Sequence, residues 1–293
     1  MGAPDIGRRA EVRAVACSVL FDQIMGLSDM LANGYIVTAT DYPGLGTPGP
    51  HPYLVGDSEG HAVLDSVRAA REVPEAQAND HFALWGHSQG GQAVLYAAKL
   101  AASYASELRL AGVAAAAPAT ALGTLMQDDI DSTGGKNLMA MTIYAWNRQF
   151  GAPMDQVVEP NAIKNVDDVS NVCVESLIDF WEHDEIGKKL DKSFLKVKNI
   201  LDYEPWKAIT AENTIGALPP AIPVFIAQGT KDTTVDPPVT EAYIQKLCAA
   251  GSKVETYFMP GVGHGFAAFH SSSEAATWIK GRFDGEPAPS KCH

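Results

Sequence analysis

The chain has 293 residues, 46% of them hydrophobic, enough apolar material to bury a full core as one large domain with room for an inserted subdomain. Its formal net charge of −13 comes without any basic run, which argues against nucleic acid or an anionic membrane as the main partner. No window approaches the roughly 18 uninterrupted apolar residues of a membrane helix, no basic-then-apolar leader opens the chain, and the four cysteines lack metal-ligand spacing.

Residues 1–9 are polar and carry Gly and Pro, and residues 11–16 suit a short strand. Leu20, Ile24, Leu27 and Leu31 recur at helical spacing and stop at Asn33-Gly34, a C-terminal helix signal. Residues 35–40, Tyr-Ile-Val-Thr-Ala-Thr, predict a strand. A loop rich in Pro and Gly follows over 41–52, and Asp57 or Ser58 is placed to cap a helix whose Val63, Leu64 and Val67 face the core. Residues 81–85 predict the next strand, a helix opens at Gln89, and residues 110–115 predict a further strand. Such alternation predicts an α/β protein: a mostly parallel sheet with helices on both faces.

The alternation breaks between Pro118 and Pro219, a span far longer than a strand-to-helix connection needs. Leu138, Met141, Ile143, Trp146 and Phe150 mark one helical segment there, and Val172, Leu177, Ile178 and Trp181 another. We expect a core of residues 1–118 and 220–293 with a helical cap, 119–219, inserted at the strand ends. Met141, Tyr144 and Trp146, with Met126, Met139, Met154 and Phe150, suit either an adaptable apolar substrate pocket or plain cap core. Strands at 222–227 and 254–258 and a last helix at 274–283 complete the pattern.

The chemistry gathers at the strand ends. Gly86-His87-Ser88-Gln89-Gly90 lies where a strand must reverse into a helix, so Ser88 is placed as a nucleophile on a strained turn. The helix N-terminus points its amides at the same place, and the Gln89 N–H is the expected oxyanion donor. A serine hydroxyl needs a base and an orienting acid. Asp232 follows the strand 222–227 just past Gly229, and His264 stands in a glycine-rich loop after the strand 254–258. Asp236 remains the alternative acid. His87 is expected to point away from Ser88 and pack beside the sheet, and His51, His61, His81, His183, His270 and His293 are expected at the surface or in loops. This chemistry requires no metal and no organic cofactor.

The triad motif, the segment Tyr42-Pro43-Gly44-Leu45-Gly46-Thr47-Pro48-Gly49-Pro50-His51-Pro52-Tyr53, the exit Ala117-Pro118-Ala119-Thr120 and the large cap together resemble the secretory lipase family of α/β-hydrolases, over roughly Phe21 to the C-terminus. The resemblance implies hydrolysis of small-molecule carboxylic esters, with Ser88 as nucleophile, His264 as base and acid, and Asp232 orienting the imidazole. Some relatives also transfer acyl groups or cleave feruloyl esters. Such proteins usually carry a His-Gly-type loop upstream that supplies a second oxyanion donor, and nothing like it precedes Cys17. Either the N-terminus is abbreviated or the amide of Cys17 or Ser18 donates instead. The resemblance also suggests Cys17–Cys173 and Cys248–Cys292 among the three possible pairings, and with the even cysteine count it favours secretion. Short-to-medium acyl esters and aromatic esters are the expected substrates. The alternatives are an acyltransferase, in which an alcohol replaces water, and a catalytically silent binder of apolar ligands.

Overall fold

A computed structural model of the protein describes residues 21, 24–128, 130, 132–171, 188–190 and 194–292. The expected strand at 11–16, the helical segment of Val172, Leu177, Ile178 and Trp181, and Cys17, Ser18, Cys173, His183 and His293 lie outside the described residues.

In chain order the described helices and strands are α1 (Leu27–Ala32), α2 (Gly56–Arg71), β1 (His81–His87), α3 (Gln89–Tyr104), β2 (Arg109–Ala116), α4 (Leu122–Asp128), α5 (Thr133–Phe150), α6 (Met154–Val157), α7 (Ile163–Ser170), α8 (Trp206–Asn213), β3 (Val224–Gly229), α9 (Pro237–Ala249), β4 (Val254–Met259) and α10 (Ala267–Phe283). The chain divides into two compact units. One comprises Phe21–Thr40, Gly56–Ala121 and Ile215–His293; the described part of the other comprises Asp41–Val55 and Leu122–Thr214. The loop Asp41–Val55, expected in the core, therefore groups with the helical segment.

The first unit holds a four-stranded sheet, ordered β1-β2-β3-β4 and parallel throughout. Parallel strands covered on both faces read as nearly continuous apolar runs, and Val224 to Gly229 is buried at every position. Alternate side chains take alternate faces. Leu84, Val113, Ala115, Val224 and Ile226 join one core with Leu64 of α2, Val94 and Leu95 of α3, and Tyr243 and Leu247 of α9. On the other face α10 lies so close that a Cβ on Gly112 of β2 would sit 2.7 Å from the Trp278 ring, whose centroid is 5.9 Å from that of Phe225. This is the parallel sheet covered by helices on both faces expected from the alternation, in keeping with the α/β-hydrolase fold that the resemblance implies.

The second unit is mainly helical. Trp146 and Ile143 of α5, Trp206 of α8, Val166 of α7 and Phe194 are fully buried within it. Trp206 Nε1 donates to Gln156 Oε1 at 3.1 Å, and Val158 and Leu195 form an antiparallel bridge.

Three local expectations are corrected. Residues 35–40 join no ladder among the described residues; Ile36 is 47% exposed, and the segment is tied down by side chains, Tyr35 on Phe283 and Thr38 Oγ1 to the Ser66 carbonyl. A β-branched run forms a strand only where a neighbour completes the ladder. Helix α2 starts at Gly56, so Asp57 lies inside its first turn instead of capping it. Helix α10 starts at Ala267, seven residues before the expected Glu274.

Candidate active site

Ser88 sits between β1 and α3 with φ 56° and ψ −117°, a conformation that costs a side-chain-bearing residue about 1–3 kcal/mol unless its surroundings impose it. Here they do. The Ser88 N–H donates to the Ala116 carbonyl at 3.0 Å, and the Ser88 carbonyl accepts from Gln92 N at 3.0 Å and Ala119 N at 3.2 Å. The turn closes so tightly that a Cβ on Gly86 would stand 2.1 Å from the Gly90 carbonyl oxygen, which requires glycine.

Two further strand ends supply the partners. Gly229 ends β3, where a Cβ would lie 2.4 Å from the Val262 carbonyl oxygen, so glycine lets the loop after β3 approach the loop after β4. Across that approach Lys231 N donates to Val262 O at 2.9 Å and Thr230 N to Met259 O at 3.0 Å. These bonds register Asp232 against His264. The result is a continuous chain: His264 Nδ1 lies 2.8 Å from Asp232 Oδ2, and His264 Nε2 lies 2.8 Å from Ser88 Oγ. A carboxylate accepts only, so Nδ1 carries the proton and Nε2 is left to accept the serine hydroxyl.

Asp232 is 2% exposed. Burial works to raise its carboxyl, but the hydrogen bond and charge of His264, with the amides of Val235 and Thr234 on Oδ1 at 2.8 and 2.9 Å, hold it below the usual carboxylate range. It therefore stays ionised beside the imidazole. A hydroxyl in such a chain can give its proton to the imidazole as it attacks a carbonyl carbon.

The secretory lipase family profile matches residues 8–291, nearly the whole chain. The chain belongs to the secretory lipase family. Among curated relatives, Lipase 1 of Candida albicans is 27% identical over 278 residues, covering 90% of this chain and 58% of its own. A Mycobacterium tuberculosis protein named a probable inactive lipase is 25% identical over 296 residues, covering 97% of this chain and 63% of its own. The chain thus spans about three fifths of the length of these relatives. The crystal structure of Candida antarctica lipase A aligns with a TM-score of 0.72 at 19% identity, over 100% of this chain and 66% of that one, a likeness of fold.

Within this secretory lipase fold the remaining expected residues are placed as follows. Gln89 is the first residue of α3, directly after Ser88 at the N-terminal end of the helix. Its side chain is anchored, Nε2 donating to Oε1 of the fully buried Glu59 at 2.7 Å, a contact that no sequence motif announced. Ser18 lies outside the described residues. Asp236 is the N-cap residue of α9, and it is Asp232 that faces His264. Trp146 is fully buried in the helical unit, Tyr144 is nearly so with the Arg148 guanidinium 5.1 Å from its ring centre, and Met141 is half-buried. Trp146 therefore packs as core.

His87 makes contacts that the sequence did not specify. Its ring centroid is 4.8 Å from that of His264, and its Nε2 donates to the His264 carbonyl at 3.0 Å. Burial, then the neighbouring His264 ring, push its pKa down to about 4. His51 is likewise held neutral: burial lowers it to about 4, and its Nδ1 lies 3.2 Å from the Pro43 carbonyl. Sequence reasoning also missed Gln228, a fully buried amide that touches Asp232. The signal was present, since it is the polar residue at the end of the apolar run Val224 to Ala227. Among the described residues no group of three or more His, Cys, Asp or Glu side chains is placed to hold a metal ion, and no helix is long and apolar enough to cross a membrane.

Proposed function

We propose that the protein is a serine carboxylic ester hydrolase. Ser88 Oγ attacks the ester carbonyl carbon while its proton passes to His264 Nε2; the tetrahedral oxyanion is held by the Gln89 N–H and one further donor; and the C–O bond to the alcohol breaks as His264 returns the proton to the leaving oxygen. Water, deprotonated by His264, then attacks the acyl-enzyme and frees the acid. The observation that carries this reading is the unbroken hydrogen-bond chain from Ser88 through His264 to an ionised Asp232, with 2.8 Å at each link.

We assign short-to-medium acyl or aromatic esters as substrates. Phe266 and Phe269, two and five residues beyond His264, are 65% and 62% exposed and favour an apolar or aromatic group near the histidine. Secretion is supported by the family and by the disulfide Cys248–Cys292. The second reading, a catalytically silent protein, draws on the unmatched His-Gly-type loop and on the name of the Mycobacterium tuberculosis relative, but a silent fold has no need to keep all three groups in hydrogen-bond contact.

The test is turnover of p-nitrophenyl esters from acetate to palmitate and of methyl ferulate, by the wild type and by Ser88→Ala. Turnover strongest on short-to-medium chains or the ferulate, and abolished in the variant, is expected. Equal rates in the two proteins would remove Ser88 from the reaction. Added alcohol tests the acyltransferase variant, through formation of a new ester.

A further inference from the structure

Gln228 is the penultimate residue of β3, fully buried, one residue before the glycine that ends the strand and leads into the Asp232 loop. Its Nε2 lies 3.2 Å from Asp232 Oδ2, 3.0 Å from the Val235 carbonyl and 3.1 Å from the Gly229 carbonyl. Three acceptors surround that atom, which identifies it as the NH2 and not the oxygen of the amide. From the other end the buried Thr240 hydroxyl donates to Oε1 at 2.6 Å, and flipping the amide would set its oxygen against three acceptors, the Asp232 carboxylate and the Val235 and Gly229 carbonyls.

Asp232 Oδ2, which meets Gln228, is the same oxygen that accepts from His264 Nδ1, while Oδ1 takes the amides of Thr234 and Val235. With donors fixed on both oxygens, the carboxylate cannot rotate about its Cβ–Cγ bond to turn Oδ2 away from the imidazole. The bond from Gln228 to the Val235 carbonyl also braces the turn on which Asp232 rides.

We propose that Gln228 is a positioning residue for the reaction, holding Asp232 Oδ2 in line with His264 Nδ1, and that Thr240 tethers the oxygen end of the Gln228 amide. The inference rests on the roles proposed above for Ser88, His264 and Asp232. It goes further in adding a buried amide that acts on the acid from behind, out of reach of the substrate.

Three variants of the full chain test it: Gln228→Leu, Gln228→Glu and Thr240→Val, each checked by thermal unfolding. Gln228→Leu should lower kcat on p-nitrophenyl butyrate on the order of ten- to hundredfold, the worth of one hydrogen bond to a charged group, with KM little changed. Thr240→Val should lower kcat by less. Gln228→Glu is the sharper probe. While protonated, the introduced carboxyl donates to Asp232 as the amide does; once ionised it sets two carboxylates against each other. Its activity should therefore approach wild type at acid pH and fall at a lower pH than the wild type's own alkaline limit. A merely structural amide predicts no such displaced fall. A Gln228→Glu profile superimposable on that of the wild type, or a folded Gln228→Leu with undiminished kcat, overturns the proposal; if Gln228→Leu does not fold, the Gln228→Glu profile decides. Absence of wild-type turnover would instead overturn the hydrolase reading. In that case the low-field proton NMR signal of His264 Nδ1–H decides on Gln228: its shift or loss in Gln228→Leu supports the positioning role, and an unchanged signal contradicts it.

Discussion

His87 stands next to Ser88 in the chain, yet its ring lies against His264 and its Nε2–H is spent on the His264 carbonyl. A histidine kept neutral by burial ties folding to pH in a definite direction. Its folded pKa of about 4 is below the unfolded value of 6.5, so between them only the unfolded chain binds the proton. The stability is fully present above pH 6.5 and is lost as pH falls toward 4, by up to about 3 kcal/mol. His87→Gln, which keeps a donor and removes the titration, should flatten the fall in urea midpoint across that window. The slope left by His51 should remain, because the same sign applies to it. A midpoint that falls equally in both proteins would contradict this account of His87. Asp232 acts lower: its depressed pKa gives stability present above the ordinary carboxylate value and lost as pH falls through its folded value. The three groups of the Ser88 chain were legible in the sequence because each follows a strand and a glycine. The contacts of His87 were not, because they are made with His264, 177 residues further along the chain, and exist only once the ends of β1 and β4 come together.

Elements were legible where apolar period and punctuation agreed, as in β2, β3, β4 and α3. Helix α10 was hidden in part. It follows the 3-10 turn His264–Phe266 without a side-chain cap, and its first turns carry Ser271, Ser272 and Ser273, residues that usually signal a loop. In the structure two of those hydroxyls turn inward on the helix, Ser271 Oγ to the Ala267 carbonyl and Ser272 Oγ to that of Phe269, while Ser273 Oγ donates to Asp29 Oδ2 of α1. The C-terminal tail is fixed at the same scale. Cys292 is bonded to Cys248 of α9, as the family resemblance suggested, and Lys291 N donates to Val254 O at 2.7 Å beside β4. The bridge closes a loop over a sequence separation of 44 residues, worth about 4 kcal/mol by the chain-entropy account. The double variant Cys248→Ser/Cys292→Ser should lose several degrees in Tm while keeping its ester kinetics at 25 °C, since the tail contributes no group to the site. An unchanged Tm would show that the tail is held without the bridge.

For the whole molecule, strand-helix alternation was enough to place the sheet, because parallel strands buried on both faces leave long apolar runs that helices must separate. It could not place what lies between Ala121 and Ile215, where no strand period exists to set direction, nor the buried amide behind Asp232, which becomes visible only when β3 and α9 pack together. The central claim is that this fold brings Ser88 to reactivity through His264 and Asp232. It is tested most directly by incubating the folded protein with a fluorophosphonate and mapping the covalent adduct by mass spectrometry. The account predicts one adduct, on the peptide carrying Ser88, absent in Ser88→Ala and formed far more slowly in His264→Ala. No adduct on the folded wild type, or labelling at Ser88 that is indifferent to His264, would contradict it.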